Sequence, residues 1–142
     1  MNIAEIRKYL PHRYPFLLVD RVLETTTDSI TALKNVTINE AYFDGHFPDV
    51  PIVPGALLIE SMAQTAGLLF RQSCPPEEGR KIGFLVEVSQ MKFYNPAVPG
   101  DSLMITCRVS KKVSKFITYE AEVVVAGRKV ARGFLTLMIQ QQ

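Results

Sequence analysis

One stretch of this sequence reads as a long helix, and most of the remainder reads as strand. Residues 54–72 (PGALLIESMAQTAGLLFRQ) place Ala56, Ile59, Met62, Ala63, Ala66, Leu69 and Phe70 on one broad apolar arc at about 100° per residue. Glu60, Gln64, Gly67 and Arg71 fall on another face. Pro54 suits the first helical position, where its missing N–H would have no partner anyway. The segment SCPPEEGR ends the helix. A lone helix of this kind must bury its apolar arc against something other than another long helix.

The strand patterns supply that surface. Residues 17–26 (LLVDRVLETT) and 29–37 (SITALKNVT) are rich in Leu, Val and Thr, with Thr27 and Asp28 between them as a turn. From residue 82 onward the pattern is almost entirely strand. Leu103, Ile105, Cys107 and Val109 alternate with Thr106, Arg108 and Ser110; Ile117, Tyr119, Ala121, Val123 and Val125 alternate with Thr118, Glu120 and Glu122. Residues 126–128 (AGR) make a tight hairpin. Residues 2–9 form a short N-terminal helix that Asn2 caps and Pro11 terminates. The expected fold is α+β, five or six antiparallel strands wrapped around one central helix, in a single domain spanning 1–142. Its sheet leaves an edge strand of the kind that pairs with a second subunit.

Composition excludes several classes. With 47% hydrophobic and 21% charged residues the chain has ordinary globular composition. MNIAEIRKYL lacks the apolar core of a secretory signal, and residues 55–70, interrupted by Glu60 and Gln64, are too short to span a bilayer. The expectation is a cytoplasmic protein without membrane insertion. Cys74 and Cys107 are too few for a disulfide framework and lie near no His or Cys at metal-ligand spacing, so no metal is expected. Net charge is +2 but uneven: residues 1–79 hold 6 Lys/Arg and 10 Asp/Glu (−4), residues 80–142 hold 10 and 4 (+6). Such a basic half can steer an acidic partner, or be no more than the solvated faces of strands. No basic helix with interleaved aromatics points to nucleic acid.

Residues 40–54 (EAYFDGHFPDVPIVP) break the strand pattern with Pro48, Pro51 and Pro54, giving an ordered, proline-pinned loop. It carries His46, one of only two histidines, the other being His12. A neutral imidazole near its reference pKa suits proton transfer at neutral pH, although a loop histidine taken alone is more often structural. Glu60 is ambiguous in the same way. Its stripe with Gln64 and Arg71 fits a solvent-facing helix surface, and fits equally a carboxylate facing an apolar pocket, where desolvation would raise its pKa and make it a general acid. Gly55, at the start of the helix, offers an unpaired backbone N–H at the positive end of the helix dipole, and a glycine lets a substrate approach closely.

The runs LPHRYPFLLVDRV (10–22) and GHFPDVPIVPGALLIESMAQ (45–64), with FYNPAVPGDSL (93–103), closely resemble the 3-hydroxyacyl-acyl-carrier-protein dehydratase family, FabZ. The resemblance implies a hot-dog fold, a homodimer assembling further as a homohexamer (trimer of dimers), and active sites at the dimer interface. It places the catalytic histidine on His46, the catalytic glutamate on Glu60 from the partner subunit, and the backbone donor on Gly55. The related dehydratase–isomerase family, FabA, uses Asp as the acid, so Glu60 favours the plain dehydratase. No cofactor is implied, because the thioester already acidifies C2. The partner would be an acyl carrier protein bearing a phosphopantetheine-linked acyl chain, and the pathway fatty acid biosynthesis.

The apolar substrate tunnel is expected to be lined by Phe47, Pro54, Gln64, Phe84, Phe93 and Tyr94. Gln64 is read either as a hydrogen-bonding neighbour of Glu60 one turn on or as solvated. His12 and Arg13 are read as bracing the N-terminal segment. Lys92, Arg108 and the cluster Lys111, Lys112 and Lys115 are candidates for the carrier-protein face. Two other functions compete: a hot-dog thioesterase, against which the Gly45–Pro48 histidine loop speaks, and a non-catalytic acyl-thioester-binding module, against which His46 and Glu60 together argue.

Overall fold

A computed structural model describes residues 1–74, 79 and 81–141. In chain order the elements are α1 (Ile3–Tyr9), β1 (Arg21–Thr25), β2 (Ser29–Asn35), a 3-10 turn (Ala41–Asp44), α2 (Gly55–Gln72), β3 (Lys81–Phe93), β4 (Ser102–Val113), β5 (Phe116–Val125) and β6 (Arg128–Gln141). The strands form one antiparallel sheet in the order β1-β2-β4-β5-β6-β3, and α2 packs on its inner face. The expected α+β hot-dog architecture is therefore present, with six strands.

The alternation read in β4 and β5 is realised residue by residue. Leu103, Ile105 and Cys107 are buried, as are Ile117, Tyr119, Ala121, Val123 and Val125, and these meet Met62, Ala66, Leu68 and Leu69 of α2 in one core. Burying a Leu side chain of this kind stabilises the fold by roughly 1.5–3 kcal/mol. On the outer face Glu120 pairs with Arg132 across β5 and β6.

The helix departs from the single-arc reading. Between Ser61 and Leu69 every residue except Gly67 is buried, so α2 is surrounded on most sides, whereas Ala56 is exposed. The polar residues tolerate this because Ser61 and Thr65 donate their hydroxyls to the carbonyls of Leu57 and Ser61 one turn back, at 3.0 and 2.8 Å. Pro54 sits one position earlier than expected, at the N-cap, and its carbonyl accepts from Leu57 and Leu58.

Other boundaries shift for local reasons. Residues 17–20 do not join β1: the Leu18 N–H turns inward to the Gln64 side chain, and only Asp20 makes a ladder-like bond, to Leu33. β2 ends at Asn35 because Val36 pairs instead with the turn at Gly100 and Asp101. The hairpin turn is Ala126-Gly127 alone, both at positive φ (49° and 78°), and Arg128 already belongs to β6. Asn2 caps α1 as expected, in a reciprocal capping box with Glu5. Of the segment read as ending α2, Ser73 and Cys74 turn as expected, and residues 75–78 and 80 lie outside the described residues.

β3 is the unusual strand. It is an edge strand of 13 residues, yet Phe84, Leu85, Val86, Val88 and Phe93 are all exposed. It bulges where Gln90 takes φ 53°, and the displaced Met91 backbone lies against Gly133 of β6. A Cβ on Gly133 would stand 2.6 Å from the Met91 Cα, a backbone atom that cannot swing away. Gly133→Ala is expected to destabilise the protein by about 1–3 kcal/mol, seen as a lower urea midpoint with unchanged slope. An unchanged midpoint would show that the bulge relaxes freely.

Candidate active site

The His46 loop is rigid because its backbone polar groups bond within the loop. His46 N–H donates to Tyr42, Ile52 N–H to His46, and Phe47 and Val50 exchange bonds at 3.2 and 3.1 Å. The His46–Phe47 peptide is cis, and the two rings stack at 4.2 Å between centroids. The imidazole Nδ1 lies 2.8 Å from the Ile52 carbonyl oxygen. A carbonyl can only accept, so Nδ1 carries a proton, and in the neutral tautomer this leaves Nε2 as the bare nitrogen.

That ring opens on a cavity of about 390 Å³ which it shares with Ile52, Gly55, Leu58, Phe93 and Tyr94. Gly55 is the first residue of α2, and among the described residues no acceptor takes its N–H. The Phe93 ring occupies the space a Gly55 side chain would need: its Cε1 and Cζ would lie 3.0 Å from a Cβ at that position. A side chain at position 55 would therefore need the Phe93 ring to shift by a few tenths of an ångström. Tyr94 is fixed by its N–H to Val130 and by Lys129 at 5.2 Å over its ring.

Glu60 lies elsewhere. Five residues along a helix is about 7.5 Å of rise and about 140° of rotation, so Gly55 and Glu60 face different sides of α2. Glu60 lines a second cavity, about 240 Å³, with His12, Ala63, Gln64, Gly67, Arg71, Phe84 and others. The stripe that could have faced solvent is the wall of this cavity, and the Glu60 side chain is 21% exposed. Within one chain, then, His46, Gly55, Phe93 and Tyr94 come together, and Glu60, Gln64 and Phe84 come together separately. Phe47 and Pro54, expected in the tunnel wall, line neither cavity: Phe47 lies over the His46 ring and Pro54 is the helix cap.

Gln64 is not solvated. It is 2% exposed, and its amide accepts from Leu18 N–H (2.8 Å) and donates to Phe16 carbonyl (2.7 Å) and Glu60 Oε1 (3.0 Å). Arg13 braces the N-terminal segment as read, donating to the carbonyls of Arg7, Leu10 and His12. His12 does more than brace: its Nε2 stands 3.5 Å from Glu60 Oε1. Burial lowers its pKa from the ordinary histidine value, Glu60 opposes this, and Arg13 adds to it. Sequence reasoning misses this contact because 48 residues separate the two groups; the PHRYPF and ESMAQ motifs carry no geometric hint. Cys74 and Cys107 are free thiols, and burial pushes Cys107 well above its usual value. Among the described residues no cluster of His, Cys, Asp and Glu is arranged to hold a metal.

Known proteins share both the fold and the sequence. The dehydratase heterocomplex ApeI:P from Xenorhabdus doucetiae superposes with a TM-score of 0.84 at 21% identity, covering 96% of this chain and 91% of that one. A mutant thioesterase from Pseudomonas aeruginosa superposes at 0.73 with 11% identity, covering 98% and 94%. At such identities the likeness is one of fold, and it defines the class as hot-dog proteins. The FabA-like domain family matches residues 10–133. The 3-hydroxyacyl-[acyl-carrier-protein] dehydratase FabZ of Streptococcus thermophilus (strain ATCC BAA-491 / LMD-9) is 48% identical over 139 residues, 98% of this chain and 97% of its own. That of Streptococcus pneumoniae (strain CGSP14) is 47% identical, covering 98% of each. The chain belongs to the FabZ family of 3-hydroxyacyl-[acyl-carrier-protein] dehydratases.

The Gln64 clamp carries a stability prediction. Gln64→Leu would strand the Leu18 N–H and the Phe16 carbonyl beside α2, at a cost of about 2–4 kcal/mol. A thermal or urea midpoint equal to that of the unaltered protein would show that these groups find other partners.

Proposed function

We propose that this protein dehydrates (3R)-3-hydroxyacyl groups carried on acyl carrier protein, giving trans-2-enoyl thioesters and water in fatty acid biosynthesis. The observation that carries this reading is the His46 imidazole, held through Nδ1 with its Nε2 free, beside an unpaired N–H at the start of α2. Nε2 takes the C2 proton while the Gly55 N–H polarises the thioester carbonyl as it gains enolate character. The helix dipole adds to that donor. Glu60 gives its proton to the C3 hydroxyl, which leaves as water as the C2=C3 bond forms. His46 then holds the proton from C2, and its return to the Glu60 carboxylate through the released water resets the site.

These two groups belong to one reaction only if two chains share it. The exposed apolar edge formed by β3 is the surface we assign to that pairing, since a long unpaired strand of this composition is a template for another chain. Cavity walls then come from both copies, with Phe84 beside the acid and Phe93 and Tyr94 beside the base. Three such homodimers assemble as a homohexamer. Among the described residues no helix is long and apolar enough to cross a membrane, and we place the protein in the cytoplasm. The steep excess of Lys and Arg after residue 80 suits an acidic carrier protein.

His46→Ala is expected to lower turnover of a 3-hydroxyacyl-carrier-protein by about 10²–10⁴-fold, read as the absorbance gain of the enoyl thioester. Glu60→Gln is expected to fall in the same range. Near-normal turnover by His46→Ala would remove the base. Release of free thiol without the absorbance gain would identify hydrolysis instead.

A further inference from the structure

The N-terminal segment and Glu60 are joined more closely than the reaction alone requires. Gln64 Nε2 and His12 Nε2 both approach the same carboxylate oxygen, Oε1, at 3.0 and 3.5 Å. Among the described residues no hydrogen bond is made to Oε2. His12 Nδ1 is buried and, among the described residues, has no hydrogen-bond partner. Its ring stacks on Phe16, centroids 6.2 Å apart, and Phe16 is in turn tied through its carbonyl to Gln64. Residues 12–18 therefore form a bracket around one edge of the Glu60 carboxyl group, and His12 and Glu60 line the same cavity.

We propose that His12 is a positioning residue: as a neutral imidazole, with the proton on Nε2, it holds Oε1 together with Gln64 so that the transferable proton resides on Oε2. This deepens the dehydratase reading and rests on Glu60 being its acid. Oε1 already accepts the Gln64 N–H and has His12 Nε2 3.5 Å away, which makes it a poorer site for a proton than Oε2, so the acid is presented from the other oxygen. The neutral form matters, because a cationic group at this distance would favour the ionised carboxylate and deplete the acid. The absence of a partner on Nδ1 fits a ring that is not required to carry a second proton, and burial holds the ring toward that neutral state. Arg13 fixes the bracket through three backbone carbonyls without touching Glu60 itself.

The test is a mutant cycle on the full-length protein with a 3-hydroxyacyl-carrier-protein substrate. His12→Phe keeps the stacking shape and removes the donor; His12→Gln restores a neutral N–H at similar reach. The expected result is a fall in kcat of about 10-fold for His12→Phe with KM nearly unchanged, and recovery of most of it by His12→Gln. In a Glu60→Gln background, His12→Phe should cause no further loss, because the group it serves is gone. A loss that is equally large in that background, or that His12→Gln does not recover while melting temperatures match, would overturn the proposal and leave His12 structural. A Glu60→Gln enzyme with full activity would instead strike at the dehydratase acid itself, a separate failure visible in the single variant.

Discussion

The enclosure of α2 by the sheet is the constraint on which the rest depends. Among the described residues only one helix is long, and its middle turns are buried on nearly all sides by β2 to β6 and the N-terminal segment. That enclosure fixes where its two useful positions point. The start of the helix offers the Gly55 N–H, which no acceptor among the described residues takes, in the cavity that His46 lines. One and a half turns later Glu60 emerges on a different side, into a cavity closed by residues 8–12 and the first half of β3. A helix free to roll or slide would hold neither group to the tolerance that the proposed reaction needs.

Much of the fold is legible in the sequence because its signals are local and periodic. The alternation in β4 and β5 can be satisfied by only one choice of inward face, and the helical arc marks a segment that must be covered. What escapes is decided by distant partners. Gln64, polar in a sequence, is buried because Leu18 and Phe16 leave a donor and an acceptor that its amide alone satisfies. That same bond draws residues 17–20 away from β1, so a strand end is set by a side chain 46 residues away. Ala56 lies on the apolar arc and is nonetheless exposed, while Leu58 in the same turn is buried.

The site is legible in its residues more than in its geometry. His46 stands out by scarcity and by its proline-pinned loop, and Gly55 by its place at a helix start. For Glu60 the pattern leaves two readings open, and the structure selects the cavity wall over the solvated surface. The sequence marks His12 only as a brace; its approach to Glu60 depends on a fold in which the chain's tenth to eighteenth residues lie along α2. Of the residues expected in the tunnel, Gln64 and Phe84 line one cavity, Phe93 and Tyr94 another, and Phe47 and Pro54 neither, which no pattern of spacing conveys. Exposure of Phe84, Leu85, Val86, Val88 and Phe93 along the edge strand β3 is the feature on which the proposed pairing of two chains rests, because it leaves an apolar strand to cover.

The sharing of one site between two chains can be measured by complementation. Co-expressing differently tagged His46→Ala and Glu60→Gln chains and isolating the mixed species places both defects in one site and neither in the other. Random pairing makes half the dimers mixed, with one intact site in two, so the unsorted pool should recover about one quarter of the unaltered activity. A pool no more active than its two inactive parents, with mixed dimers demonstrably formed, would contradict a site built from two subunits.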